Sequence, residues 1–195
     1  MFITIKLIKI KTWIFRIFAV IAAAVLFFSV ISYRYPLKYL DIINKNSVSY
    51  NIEPALVCAV IHAESKFVEE ALSHKGASGL MQITEGTADW VAEQMNMPNY
   101  SYDRIFEPSI NITIGCDYLA WLLERYRNVN LAVAAYNAGC GNVDKWLKNP
   151  KYSADGKNLD VIPFKETQDY VNRVLMNKWV YDLILHTRKQ LYGEK

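Results

Sequence analysis

Histidine and cysteine are scarce in this chain, three of each in 195 residues, and neither is spaced to hold a metal. His62-Ala63-Glu64 has the H-x-E form found in zinc deaminases, but no P-C-x-x-C follows anywhere downstream, and His62 falls on the far side of a helix from Glu64. His74 and His186 have no ligand-like spacing either, so neither a metal site nor a cofactor is expected. Cys58, Cys116 and Cys140 are odd in number and sit in apolar, helix-like contexts. One disulfide of undetermined connectivity is open to them outside the cell, and three buried free thiols are the commoner outcome. Positive charge is also missing where a polyanion would need it. Residues 1–36 hold five Lys/Arg and no acid, which leaves 17 basic against 19 acidic residues in the rest, a net −2. Without a basic face to release counterions, nucleic acid is excluded as a partner. Repeats and low-complexity tracts are absent, and strand signals after Pro36 are sparse.

What the front of the chain does have is a long apolar run. Ile17 to Tyr33 is seventeen uncharged residues bounded by Arg16 and Arg34 and preceded by Lys6, Lys9 and Lys11. That is close to the shortest membrane-spanning helix. The cations before the run place the N-terminus in the cytoplasm and everything after it outside. A cleaved signal peptide is the rival reading, with Val30-Ile31-Ser32 as its cleavage site. The expected division is residues 1–36 as anchor or signal segment and 37–195 as one exported domain, released if the segment is cleaved.

Helical patterns dominate that domain. A short helix is expected near Leu37 to Ile43, then a polar break from Asn46 to Asn51. A second starts at Pro54, which suits a first helical turn. Val68 to Gly79 reads as a loop, and Leu80 to Ile83 as an extended piece. Thr84 is placed to cap a helix through Met95. After a tyrosine-bearing loop from Asn99, a long helix runs from Pro108 to about Tyr126. Asn130 is expected to cap a shorter helix to Tyr136, ended by Gly139 and Gly141. Asn149 to Pro163 is a polar loop, and Lys165 to Leu191 a closing helix.

One residue is out of place in this pattern. Val57, Val60 and Ile61 mark an apolar helix face, and Glu64 falls on it, roughly 20° from Val57 and 40° from Val60 around the axis. Apolar neighbours favour the neutral carboxyl and raise its pKa. A carboxylic acid kept protonated near neutral pH is suited to general-acid attack on a glycosidic oxygen. Taken alone, it reads better as a structural glutamate satisfied by a buried partner.

The residues around it decide. Glu64-Ser65, Ser73, Gly76-Ala77-Ser78-Gly79-Leu80-Met81-Gln82-Ile83, Asn111-Ile112 with Gly115 and Tyr118-Leu119, Ala135-Tyr136-Asn137-Ala138-Gly139, and Pro163-Phe164-Lys165-Glu166-Thr167 with Tyr170-Val171 follow one another in order. This series resembles the lytic transglycosylase family of the goose-lysozyme-like superfamily, which cuts bacterial peptidoglycan, and it spans about residues 48–180. His74, where the family often has proline, and Cys140 depart from its pattern.

The resemblance implies a mainly α, lysozyme-like domain with a minimal β element, preceded here by the transmembrane helix. It implies peptidoglycan glycan strands as partner, cut at the MurNAc-GlcNAc β-1,4 bond to leave a 1,6-anhydroMurNAc end, with Glu64 as the catalytic acid. Ser73 would hydrogen-bond the sugar. Gln82 would reach the sugar or order Glu64, with Met81 as an apolar wall. Tyr136 would hold Glu64 or the sugar, Asn137 would tie the adjacent loop, and Glu166 would orient Tyr136 or the cleft wall. Apart from the resemblance, Tyr100, Tyr102 and Trp90 offer rings for stacking on sugars, with core packing the commoner role of aromatics at such spacing. Glu69, Glu70, Glu85 and Asp89 lie in loops or on outer turns, so no second carboxylate is evident. A lysozyme- or chitinase-type hydrolase and a non-catalytic peptidoglycan-binding scaffold of an envelope machine are the other readings.

Overall fold

The computed structural model describes residues 2–193, with backbone alone for residues 2–12 and Tyr192. The side chains of Lys6, Lys9 and Lys11, and the last two residues of the expected domain, lie outside the described residues. The chain forms two compact units, Met1–Leu37 and Lys38–Lys195. The first is a single helix, α1 (Phe2–Arg34). Its segment Trp13–Arg34 is long and apolar enough to cross a membrane, and its side chains from Trp13 onward are almost all exposed.

The second unit holds α2 (Leu40–Tyr50), α3 (Pro54–Glu64), α4 (Glu85–Gln94), a 3-10 turn (Tyr102–Phe106), α5 (Pro108–Tyr126), α6 (Val129–Ala138), α7 (Cys140–Leu147) and α8 (Lys165–Tyr192). At its centre is α3, where every residue from Ala55 to His62 is buried. Burying side chains such as Leu56, Val57, Val60 and Ile61 contributes about 1.5–3 kcal/mol each, enough to make this short helix the middle of the core. Along it packs α8, through Tyr170, Val171, Val174, Asn177 and Tyr181. Tyr170, Val174, Asn177 and Tyr181 advance by three or four residues, the spacing of one helical face, and Val171 adjoins them. The Tyr181 hydroxyl and His62 Nδ1 are 3.3 Å apart inside this contact.

Four local expectations are corrected. The polar break at 46–51 is helical: Asn46 Nδ2 donates to Ile42 O at 2.9 Å, Ser49 Oγ donates to Lys45 O at 3.0 Å, and the helix runs on to Asn51, whose left-handed backbone ends it. Leu80–Ile83 is a turn closed by two isolated bridges, Leu72 with Ser78 and Ser78 with Ile83. The cap of α6 is Asn128, whose Oδ1 accepts from the backbone N–H groups of Asn130 and Leu131. Gly139, at φ +82°, does break the chain after α6, but Gly141 lies within α7, which buries Val143 and Trp146. The three cysteines are all free thiols, and Cys58 and Cys116 are buried.

Candidate active site

Glu64 is the last residue of α3 and is half-buried. Burial pushes its carboxyl up to about 7, against the opposing pull of a hydrogen bond from Tyr170 and the positive charge of Arg173. The C-terminal end of a helix carries partial negative charge, which also disfavours the ionised form. Tyr170, one turn into the buried face of α8, donates its hydroxyl proton to Glu64 Oε1 at 2.6 Å. With Oε1 so engaged, the acidic proton belongs on Oε2.

The 71–83 loop reaches the site through Met81. Gly79 N donates to Ala71 O at 2.8 Å, and Ser78 and Ile83 exchange backbone bonds at 3.0 Å. One buried side chain bolts this loop to α5. Asn111 Oδ1 accepts from Met81 N at 2.7 Å, while its Nδ2 donates to Ser78 O at 3.0 Å and Ile105 O at 2.8 Å. Two glycines make the approach close enough. A Cβ on Gly79 would stand 2.2 Å from Asn111 Nδ2, and one on Gly115 would stand 2.3 Å from Met81 Sδ. The Tyr102 hydroxyl lies 3.1 Å from Gly76 O, Ser78 Oγ and Ile83 O, bracing the same loop from outside.

The expected site residues divide as follows. Met81 is fully buried and its carbonyl accepts from the Tyr136 hydroxyl at 2.9 Å. Tyr136 is therefore tied to the loop, and Tyr170 is what holds Glu64. Both phenols are kept well above the usual tyrosine range, first by burial and then by the negative charge of Glu64. Gln82, at φ +50°, donates from Nε2 to Ala71 O and Gly79 O at 2.9 and 3.0 Å, which orders the loop and leaves the Glu64 carboxyl to Tyr170. Ser73 Oγ accepts from Ala77 N at 2.9 Å, which leaves its own proton free to donate. Asn137 Oδ1 accepts from Thr167 Oγ1 at 2.8 Å, joining α6 to the start of α8. The expectation that Glu166 orients Tyr136 is corrected: Glu166 is 71% exposed and pairs with Lys75 at 3.5 Å. Trp90 packs edge-on against Tyr118 and Trp121, and the Tyr100 hydroxyl is buried with no hydrogen-bond partner among the described residues.

Two residues of consequence were not given roles from sequence. Tyr170 belongs to the Glu166-Thr167 block, and its place four residues after Glu166 was the available signal. Arg173 stacks its guanidinium over the Tyr170 ring at 5.6 Å from the centroid, and no sequence pattern marked it. Among the described residues no group of three or more His, Cys, Asp or Glu is placed to hold a metal ion.

The arrangement is a neutral acid with one oxygen fixed and one free, which can give and then take back a proton. Removing the Tyr170 hydroxyl removes a bond that favours the carboxylate, so Tyr170→Phe raises the Glu64 pKa further. NMR titration with a carbon-13 carboxyl label at Glu64 reads it directly. An unchanged or lowered value would contradict the assignment of Tyr170.

Comparison with known proteins gives one consistent result. Residues 41–159 match the family described as Transglycosylase SLT domain. The soluble lytic murein transglycosylase of Salmonella typhimurium is 35% identical over 164 residues, covering 83% of this chain and 25% of that protein. The membrane-bound lytic murein transglycosylase C of Sodalis glossinidius is 36% identical over 118 residues, covering 54% and 32%. The crystal structure of the 70 kDa soluble lytic transglycosylase from Escherichia coli superposes with a TM-score of 0.71 at 32% identity, covering 80% of this chain and 26% of that one. The fold is thus of the mainly helical, lysozyme-like kind, and the chain spans about a quarter of the soluble relatives' length.

Proposed function

Because this chain belongs to the transglycosylase SLT domain family, we propose that it is a peptidoglycan lytic transglycosylase, with residues 37–195 as the catalytic domain and 1–36 as a membrane anchor. The observation that carries the reading is Glu64: a carboxyl pushed up to about 7 by burial, fixed by Tyr170 and subject to no second carboxylate among the groups that act on it. A hydrolase needs that second group, as nucleophile or as base for water.

In the proposed reaction Glu64 Oε2 gives its proton to the oxygen linking N-acetylmuramic acid to N-acetylglucosamine, and the C1–O bond breaks. The muramic C6 hydroxyl then attacks C1 and its proton passes to the Glu64 carboxylate. The acid is restored, water is not consumed, and the product ends in a 1,6-anhydro ring. Ser73, whose hydroxyl proton has no acceptor among the described residues, would donate to the sugar, and the buried Met81 would be the apolar wall of the site. Tyr136 and Asn137 act as positioning residues, one through Met81 O and the other through Thr167.

The anchor reading rests on the apolar span Trp13–Arg34 and on relatives named as membrane-bound. The cations flanking that span favour a catalytic domain outside the cytoplasm. Mass spectrometry of glycan strands digested by the full chain tests the chemistry. Anhydro-muramic ends are expected, and reducing muramic ends would replace this reading with a hydrolase.

The pH response follows from the direction of the Glu64 shift. The active form is the protonated one, so kcat/KM is expected to hold on the acid side and fall as pH rises through about 7. A profile flat from pH 5 to pH 9 would remove Glu64 as the acid.

A further inference from the structure

Arg173 is a cation whose charge reaches the acid of the site, and no salt bridge ties it to a carboxylate among the described residues. It lies three residues after Tyr170 on α8, exposed, and its guanidinium sits over the ring whose hydroxyl holds Glu64. The two carboxylates nearest along the same helix are already engaged, Asp169 with Lys165 at 2.8 Å and Glu166 with Lys75 at 3.5 Å. Among the described residues no ion pair to Arg173 is formed. Arg173 is exposed, and its guanidinium lies 5.6 Å from the Tyr170 ring centroid, so its donors are open to a ligand carboxylate, which a guanidinium can receive on two N–H groups.

Placed next to a general acid, a bare cation works against the chemistry. Its charge lowers the Glu64 pKa, which favours loss of the proton the reaction needs. The groups facing Glu64 are Tyr170 and Arg173 from α8 and Tyr136 from α6, and Arg173 alone among them carries a charge a ligand can cancel. The glycan of the proposed reaction carries peptide stems that end in carboxylates.

We propose that Arg173 is a specificity-determining residue that receives a carboxylate of the peptide stem at the edge of the Glu64 site. The inference rests on the peptidoglycan reading above. Stem binding neutralises the cation as the glycosidic bond arrives, so Glu64 keeps its proton most firmly when the substrate carries its peptide. The enzyme thereby distinguishes stem-bearing from bare glycan by charge.

Two substrates separate this from a structural role: glycan strands with their stems, and the same strands stripped by an amidase. For the full chain in detergent, Arg173→Gln is expected to lower the ratio of kcat/KM on stem-bearing to stripped strands about tenfold, the effect of one charge-assisted pair. Arg173→Lys is expected to restore part of that ratio, since it keeps the charge and loses the two-donor geometry. In the wild type, the alkaline limb should lie at higher pH on stem-bearing strands than on stripped ones. An equal loss on both substrates would make Arg173 a support for Tyr170 and overturn the proposal, as would no change in the ratio. Wild-type inactivity on both substrates would instead remove the peptidoglycan reading, and this inference with it.

Discussion

Glu64→Gln is expected to lose about 10³-fold or more in kcat while the domain stays folded, because in the proposed reaction one side chain serves as both acid and base and general acid–base catalysis of this kind is worth about 10²–10⁴-fold. The amide keeps the shape of the protonated acid, and its oxygen still accepts the bond from Tyr170. The variant should even gain stability on the alkaline side. A carboxyl whose pKa is raised from 4.5 to about 7 contributes stability that is complete below 4.5 and lost as pH rises through 7. Glutamine has no such dependence, so its melting temperature should match the wild type at pH 5 and exceed it at pH 8.5. Thermal melts at those two values, with turnover measured on the same preparation, check both halves. A variant that melts lower at both, or one that clears glycan at the wild-type rate, would return Glu64 to a structural role.

Asn111→Ala is expected to cost about 3–5 kcal/mol, since it strands three buried groups at once and each costs about 1–3 kcal/mol without a partner. Those groups are the Met81 N–H and the Ser78 and Ile105 carbonyls. The damage reaches the chemistry, because Met81 is also the residue whose carbonyl holds Tyr136. Against a total stability of about 5–15 kcal/mol, such a loss brings many domains close to unfolding at 37 °C. Asn111→Asp should fare little better: it keeps the acceptor for Met81 but presents oxygen to two carbonyls. Urea unfolding of the full chain measures the difference. A loss below about 1 kcal/mol would mean that water replaces the side chain and that the loop is held by other contacts.

How far the sequence could be read depended on whether a feature was local. Pro54 and Pro108 opened helices where expected, because proline suits a first turn. The position of Glu64 followed from spacing within one helix. The turn at 79–82 did not, because its shape comes from positive φ at Gly79 and Gln82 under the pull of Asn111, about thirty residues away. The α7 helix was hidden by two glycines of which only Gly139 takes a helix-breaking conformation. Least legible was the partner of Glu64. Tyr136 and Tyr170 both lie in the ordered motifs, and nothing local tells which hydroxyl reaches a carboxyl 106 residues from Tyr170.

The buried thiols bear on how the domain matures. Burial pushes Cys58 and Cys116 up to about 12, so neither forms an appreciable thiolate at neutral pH. Exchange with a disulfide needs the thiolate as attacking group. Once the domain is folded, these two thiols are therefore poor partners for disulfide exchange, and of the three cysteines only the half-buried Cys140 is open to it.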